Sequence, residues 1–308
     1  MRFRAALIAG LLTVAPAIAE PIDPAAVTHA DFRRVATGDW AGLAVHRHTV
    51  ADDGVTWKLW RITNPARPDG PLWVVPHDNE NAAFAAAIHA VRRWGGTIVA
   101  VDSGTDDTVR AARYVTAWDG SRLDPNRTFT AAFPAYVGAV LSTLGSRDRP
   151  IIALHTNAPG FDPAASTCGT ESGPGGGGAI SIKLCNATYT PRPAADRSWP
   201  WDDDDSIVIA PYLASAGPGS GWCQQSLVRG NFNISFEKVA VSDGSLSNYA
   251  AQNGLSYLNF ETQDRGNDPA GLAEARDRLT AMVDAAMTRC LPPETRLLAA
   301  GGSGKEAR

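Results

Sequence analysis

The clearest pattern along the chain is a change of period between residues 72 and 101. Leu72-Trp73-Val74-Val75 is a short apolar run ending at Pro76 and predicts a buried strand. From Glu80 onward the apolar positions move to helical spacing, with Phe84, Ala87, Ile88 and Val91 at i, i+3, i+4 and i+7. Gly95-Gly96 marks the end of that helix, and Thr97-Ile98-Val99-Ala100-Val101 predicts the next strand. Strand, helix and strand in this order form the βαβ unit of a parallel sheet. The alternation then recurs. Tyr136, Val140, Leu141 and Leu144 make a helical stripe before the strand Ile151-Ile152-Ala153-Leu154. Segments 179–184, 206–213, 232–241 and 256–261 predict further strands, and Leu272, Leu279, Val283, Ala286 and Cys290 share one face of a final helix. The expected fold is therefore α/β, with a central mixed, largely parallel sheet flanked by helices.

No internal repeat interrupts this order. Residues 168–205, rich in Gly, Pro and Asp, read as a long loop or hairpin insertion, and residues 301–308 as a flexible tail. Residues 20–300 are expected to form the single folded domain. The length of 308 residues allows one domain or two and is ample for a sizeable core.

The first nineteen residues follow a different rule. Arg2 and Arg4 precede the short apolar run 5–15, and Ala17-Ile18-Ala19 supplies small residues at a cleavage position, the pattern of a secretory signal peptide over 1–19. The expected location is periplasmic or secreted, with no membrane span once the signal is removed. Export permits disulfides. Cys168, Cys185, Cys223 and Cys290 allow three pairings, of which Cys168–Cys185 and Cys223–Cys290 are favoured. The net charge of −4 offers no basic excess for a phosphate backbone, so nucleic acid is not an expected partner.

Candidate chemistry concentrates at strand ends. His77 and His155 each follow an apolar strand at its carboxyl end, where open α/β sheets place ligands. Glu80 stands three residues after His77, and His77, Glu80 and His155 together would leave one open position in a zinc site. Glu80 could equally be an acid favoured by the start of a helix. His89, mid-helix, reads as structural. Asp124-Pro125-Asn126-Arg127 contains an Asn-Arg pair suited to gripping a carboxylate, and Arg110 could stabilise an oxyanion. Arg is also the chain's usual surface cation, and DPNR alone would be an ordinary turn. Glu261 ends a largely apolar strand, where burial can raise a carboxylate toward the range of a general base; a solvated strand end is the alternative. Glu237 competes with it, but Lys238 beside it suggests an exposed charged edge. No GxSxG motif favours a serine hydrolase, and the Gly run 175–178 lacks the Gly-Lys-Ser/Thr of a phosphate loop.

Taken in order, His77-x-x-Glu80, Arg110, Asn126-Arg127, His155 and Glu261 resemble the zinc carboxypeptidase superfamily, including its succinylglutamate desuccinylase/aspartoacylase branch. The resemblance spans roughly residues 70–265. It implies one zinc ion held by His77, Glu80 and His155, with Arg110 steadying the oxyanion and Asn126 and Arg127 binding a substrate carboxylate. Glu261 would be the general base toward the attacking water and then the acid toward the leaving amine. The Pro76-His77-Asp78-Asn79-Glu80 setting departs from the forms of the main branches, which leaves the branch open, and neither Tyr249 nor Tyr257 stands out as a substrate-capping tyrosine. Asp78 and Asn79 sit close enough in sequence to support His77. The implied activity is an exported zinc-dependent amide hydrolase cleaving a small peptide that bears a free carboxylate, with a peptidoglycan peptide as one candidate substrate. The alternatives are an N-acyl amino acid deacylase, or a non-catalytic metal- or peptide-binding member of the fold.

Overall fold

A computed structural model of the chain describes residues 21–146, 148–157, 198–202 and 205–296. The predicted signal segment, the strand expected at 179–184, Cys168, Cys185, most of the Gly-rich insertion and the tail lie outside the described residues. The Trp201 side chain, at the far end of that insertion, is buried against Phe232, with ring centroids 4.5 Å apart.

Ten strands and six helices are described. β1 (Ala44–Asp52) and β2 (Val55–Thr63) form a hairpin that the sequence reading did not anticipate. Gly54 closes it with φ of 78°, in the left-handed region where a side chain is strained. β3 (Leu72–Val75), α2 (Asn81–Trp94) and β4 (Thr97–Asp102) make the predicted βαβ unit, with β3 and β4 parallel. Gly96 follows α2 with φ of 88°, and a Cβ there would lie 1.9 Å from the Pro71 carbonyl oxygen, so only glycine fits. A small ribbon, β5 (Val115–Thr116) and β6 (Arg122–Leu123), precedes α3 (Pro134–Leu141) and β7 (Ile151–Asn157). β8 (Ile207–Leu213), α4 (Gln224–Arg229), β9 (Ile234–Val239), α5 (Leu246–Gln252), β10 (Tyr257–Gln263) and α6 (Pro269–Cys290) follow. The short α1 (Ala30–Arg34) lies near the start.

The strands other than β5 and β6 form one eight-stranded mixed sheet in the order β1-β2-β4-β3-β7-β10-β8-β9. Its centre, β4-β3-β7-β10, is parallel, while the β1–β2 pair and the β2–β4 and β10–β8 junctions are antiparallel. This is the α/β architecture expected, with the antiparallel share larger than the apolar runs suggested.

Strand alternation divides the interior into two layers. Trp73, Val75, Ile98, Ala100, Ile152, Leu154, Leu258 and Phe260 face a core shared with α2 and α6. Leu72, Val74, Val99, Val101, Ile151, Ala153 and Tyr257 face a second core capped by α3 and α5. Trp73 is fully buried and its indole nitrogen donates to the Gly95 carbonyl at 2.8 Å, so truncation to Ala would cost about 3–5 kcal/mol. At the hairpin tip Asp52 accepts from the Trp57 indole at 3.0 Å and from the free backbone N–H groups of Ala135 and Tyr136 at 2.8 and 3.0 Å. Distant residues thus cap α3. Cys223 and Cys290 form the favoured disulfide, with Cα atoms 5.4 Å apart. It ties α4 to the end of α6 across 67 residues, a loop whose closure is worth about 4 kcal/mol in the chain-entropy account.

Candidate functional site

Two parallel strands place two of the expected residues side by side. His155 on β7 and Glu261 on β10 are register partners, so their side chains leave the sheet on the same face. That face is the one carrying Ile151, Ala153 and Tyr257, opposite the α2–α6 core. β3 ends one residue before Pro76, and the following turn brings His77 and Glu80 over the end of β7. All four residues are buried.

The donor atoms converge closely. His77 Nδ1 lies 2.8 Å from Glu80 Oε1 and 3.2 Å from His155 Nδ1, and His155 Nδ1 lies 2.9 Å from Glu80 Oε2. Two ring nitrogens facing each other at that distance share at most one proton between them. Two imidazoles and a carboxylate aimed at one point form a donor set suited to a metal ion. Glu80 sits at the start of α2, yet its side chain caps no helix N–H. Its oxygens instead meet both histidines, the Thr156 backbone N–H at 3.2 Å and Arg113 at 2.9 Å. Burial alone would raise the Glu80 carboxyl, but the His77 and His155 rings outweigh it and hold the group well below the usual range.

Asp124 completes the cluster and was not singled out in the sequence. It accepts from His77 Nε2 at 2.8 Å, which directs His77 Nδ1 toward Glu80 and His155, as a carboxylate behind a metal-binding histidine does. Burial opposes ionisation of Asp124, but His77 and Arg113 hold it at about 2. Its other role is local: it caps the turn Pro125–Arg127 by accepting from the Asn126 N–H at 2.9 Å. Asp78 turns away from His77, accepting from the Ser103 N–H and hydroxyl at 2.8 and 2.6 Å.

The arginine against the donor group is Arg113, whereas Arg110 is exposed on the rim of the outer cleft. Both belong to one short helical turn, Arg110–Arg113, and a three-residue difference of this kind is invisible to spacing. Asn126 and Arg127 line the same inner chamber as Glu80, His155 and Glu261. The Arg127 guanidinium pairs with Asp243.

Glu261 accepts from the side-chain amides of Asn259 at 2.9 Å and Asn157 at 3.3 Å. Burial pushes its carboxyl above the usual value, the Glu80 charge adds to this, and His155 with the two amides opposes it. Glu237, expected on an exposed edge, is buried and lines the same chamber; only its neighbour Lys238 is exposed. The strand alternation explains the correction, since adjacent residues point to opposite sides. Burial pushes the Glu237 carboxyl up, against the donors Ser247 and Asn248.

The eight-stranded mixed sheet brings His77, Glu80, His155 and Glu261 together at the ends of β3, β7 and β10, with Arg113 against them and Arg110 on the rim. The fold is α/β, one large mixed sheet flanked by helices. No protein-family model matches the chain, and no curated protein sequence matches it. Solved structures with a similar fold include thrombin-activatable fibrinolysis inhibitor, at 9% identity over 82% of this chain and 71% of that one, with a TM-score of 0.46. A succinylglutamate desuccinylase from Chromobacterium violaceum is 14% identical over 80% of this chain and 70% of that one, with a TM-score of 0.40. The product-bound cell shape determinant protein Csd4 from Helicobacter pylori is 10% identical over 81% of this chain and 56% of that one, with a TM-score of 0.41. Among the described residues, no helix is long and apolar enough to cross a membrane.

Proposed function

We propose that this protein is an exported zinc-dependent amide hydrolase, periplasmic or secreted, acting on a small peptide or N-acyl amino acid that bears a free carboxylate. The observation that carries the reading is the approach of His77 Nδ1, His155 Nδ1 and the Glu80 carboxylate within about hydrogen-bond distance of one another, with Glu261 beside His155 in register. The donor set fits one zinc ion: two imidazoles and a carboxylate, with the Asp124 carboxylate fixing His77. When bound there, zinc supplies a Lewis acid that polarises a carbonyl and lowers the pKa of water.

The chain's own residues supply the rest. Arg127, with Asn126, offers the substrate carboxylate a two-pronged cationic grip in exchange for Asp243. Arg113 brings a fixed positive charge to the wall shared by the inner chamber and the outer cleft, the place for charge developing on a carbonyl oxygen. Arg110, on the rim, meets substrate before it enters. Glu261 takes a proton at its carboxylate and returns it to the leaving amine, and its raised pKa suits both transfers. A peptidoglycan peptide and an N-acyl amino acid both meet these requirements.

The test is hydrolysis of N-acyl amino acids and cell-wall peptides by the purified protein, with and without chelator. Turnover that disappears with chelator, returns with zinc and is lost in Glu261→Gln supports the reading. Turnover indifferent to chelator, or undiminished in Glu261→Gln, refutes it.

A further inference from the structure

Asn259 stands two residues before Glu261 on β10, so the two side chains leave the sheet on the same face, and both line the inner chamber with Asn126 and Arg127. One end of its amide is committed. A carboxylate can only accept, so Asn259 Nδ2 donates to Glu261 Oε1 at 2.9 Å, and Oδ1 is the end left over. That oxygen is buried, and among the described residues it has no hydrogen-bond partner. The Tyr257 hydroxyl, two residues earlier on the same face, is buried without a partner too, so neither group satisfies the other. A buried carbonyl oxygen left unpaired is costly, and a ligand N–H would recover that cost.

Asn157 gives the contrast. Its Nδ2 donates to the other oxygen of Glu261 at 3.3 Å and to the Asp205 carbonyl oxygen at 3.0 Å, and it lines the outer cleft. The two amides hold the Glu261 carboxylate by both oxygens, but only Asn259 does so from within the chamber that Asn126 and Arg127 line. That chamber is the place proposed for the carboxylate-bearing residue, the part of the substrate that departs with the nitrogen.

Amide hydrolysis puts an N–H there. The water oxygen bonds to the carbonyl carbon and its proton passes to Glu261. The carbon–nitrogen bond then breaks, its electron pair stays on nitrogen, and Glu261 returns the proton to that pair, giving an acid and an amine. Throughout, the nitrogen keeps the hydrogen it carried as an amide, and with its lone pair turned to Glu261 that hydrogen needs an acceptor of its own. We propose that Asn259 is a further catalytic residue, whose Oδ1 accepts this N–H while Glu261 delivers the proton. The role rests on the hydrolase reading. An ester carries no such hydrogen, so the Asn259 acceptor favours amides alone, whereas its hold on Glu261 serves amides and esters alike.

N-acetylglycyl-alanine and N-acetylglycyl-lactate, in both configurations of the last residue, differ only by N–H against oxygen. The test is kcat/KM for the two compounds with the zinc-loaded full chain, in the wild type, Asn259→Leu and Asn157→Leu. Asn259→Leu, close in size but with neither donor nor acceptor, should cost the amide about tenfold more than the ester. Asn157→Leu should lower both by the same factor. An amide-to-ester ratio unmoved in Asn259→Leu overturns the proposal. So does a ratio moved equally by Asn157→Leu, which would assign the effect to the hold on Glu261. Where Asn259→Leu fails to fold, Asn259→Val, suited to a strand, carries the same expectation, and an unmoved ratio there overturns the proposal. Turnover of neither compound by the wild type refutes the hydrolase reading and this role with it, whereas turnover of both with an unmoved ratio refutes the role alone.

Discussion

Two histidine–carboxylate clusters draw on the segment Pro76–Glu80, one through Asp78 and one through His77 and Glu80, and they differ in what their charges already have. Around His29, Nε2 meets Asp78 at 3.0 Å and Nδ1 stands 4.0 Å from Asp107. Arg34 takes Asp107 with two hydrogen bonds of 2.8 and 2.9 Å, and Arg47 pairs with Asp102. Cations of the chain satisfy that cluster. Around His77, by contrast, two imidazoles and a carboxylate turn toward one another, Arg113 reaches Glu80 at 2.9 Å and Asp124 at 3.6 Å, and Asp124 also orients the His77 ring. Both clusters have the composition of a metal site. The difference lies in convergence: at His77 two imidazoles and a carboxylate meet at one point with Arg113 at their side, whereas at His29 a single ring stands among carboxylates that Arg34 and Arg47 already pair.

The comparison breaks most sharply at the ligands. His77→Ala and His155→Ala should each reduce bound zinc from one ion per chain to nearly none, measured by elemental analysis after gel filtration, while His29→Ala keeps it. Glu261→Gln should leave zinc in place and lower turnover by about 10²–10⁴-fold, the usual share of a general acid–base group; kcat/KM in the wild type should fall on the acid side at a pH above the ordinary Glu value. Asp124→Asn should weaken zinc by about 10–100-fold without abolishing it, as loss of an orienting partner does, read from a competition titration with a chelator.

The smallest effect belongs to His29 and concerns stability. Burial opposes its charge, but the hydrogen bond and charge of Asp78 raise it to about 9 from 6.5. A base raised on folding stabilises the fold fully below its unfolded value and loses that contribution as pH rises through its folded value. His29→Ala should therefore lower stability at pH 6 by roughly 1 kcal/mol, given the partial exposure of the pair, and have no charge-linked cost near pH 10. Denaturant melts at the two pH values would show it; an equal loss at both would assign the effect to packing.

The parallel centre of the sheet was legible because β3, β4 and β7 are apolar runs buried on both faces, bounded by Pro76, Gly95-Gly96 and Pro150. The β1–β2 hairpin was not, since β1 lies at the sheet edge and His46, Arg47 and His48 dilute its alternation. At the site, His77, His155 and Glu261 could be located because each sits at or just beyond the end of such a run. Arg113 and Asp124 could not, because what brings them to Glu80 and His77 is the course of the loop from β4 to α3. For Glu237 the signal is strand alternation, which outweighs the charge of the neighbouring Lys238. Ser235 and Glu237 alternate with Ile234 and Phe236, as Asn259 and Glu261 alternate with Leu258 and Phe260, and polar residues at period two in buried strands line a cavity.

The central claim is that His77, Glu80 and His155 form one zinc seat and the His29 cluster forms none. Calorimetric titration of zinc into the metal-free full chain tests it directly. The expected result is a single site of one ion per chain, present in His29→Ala and absent in His155→Ala. No saturable binding by the wild type, or binding that survives His155→Ala and disappears in His29→Ala, would contradict it.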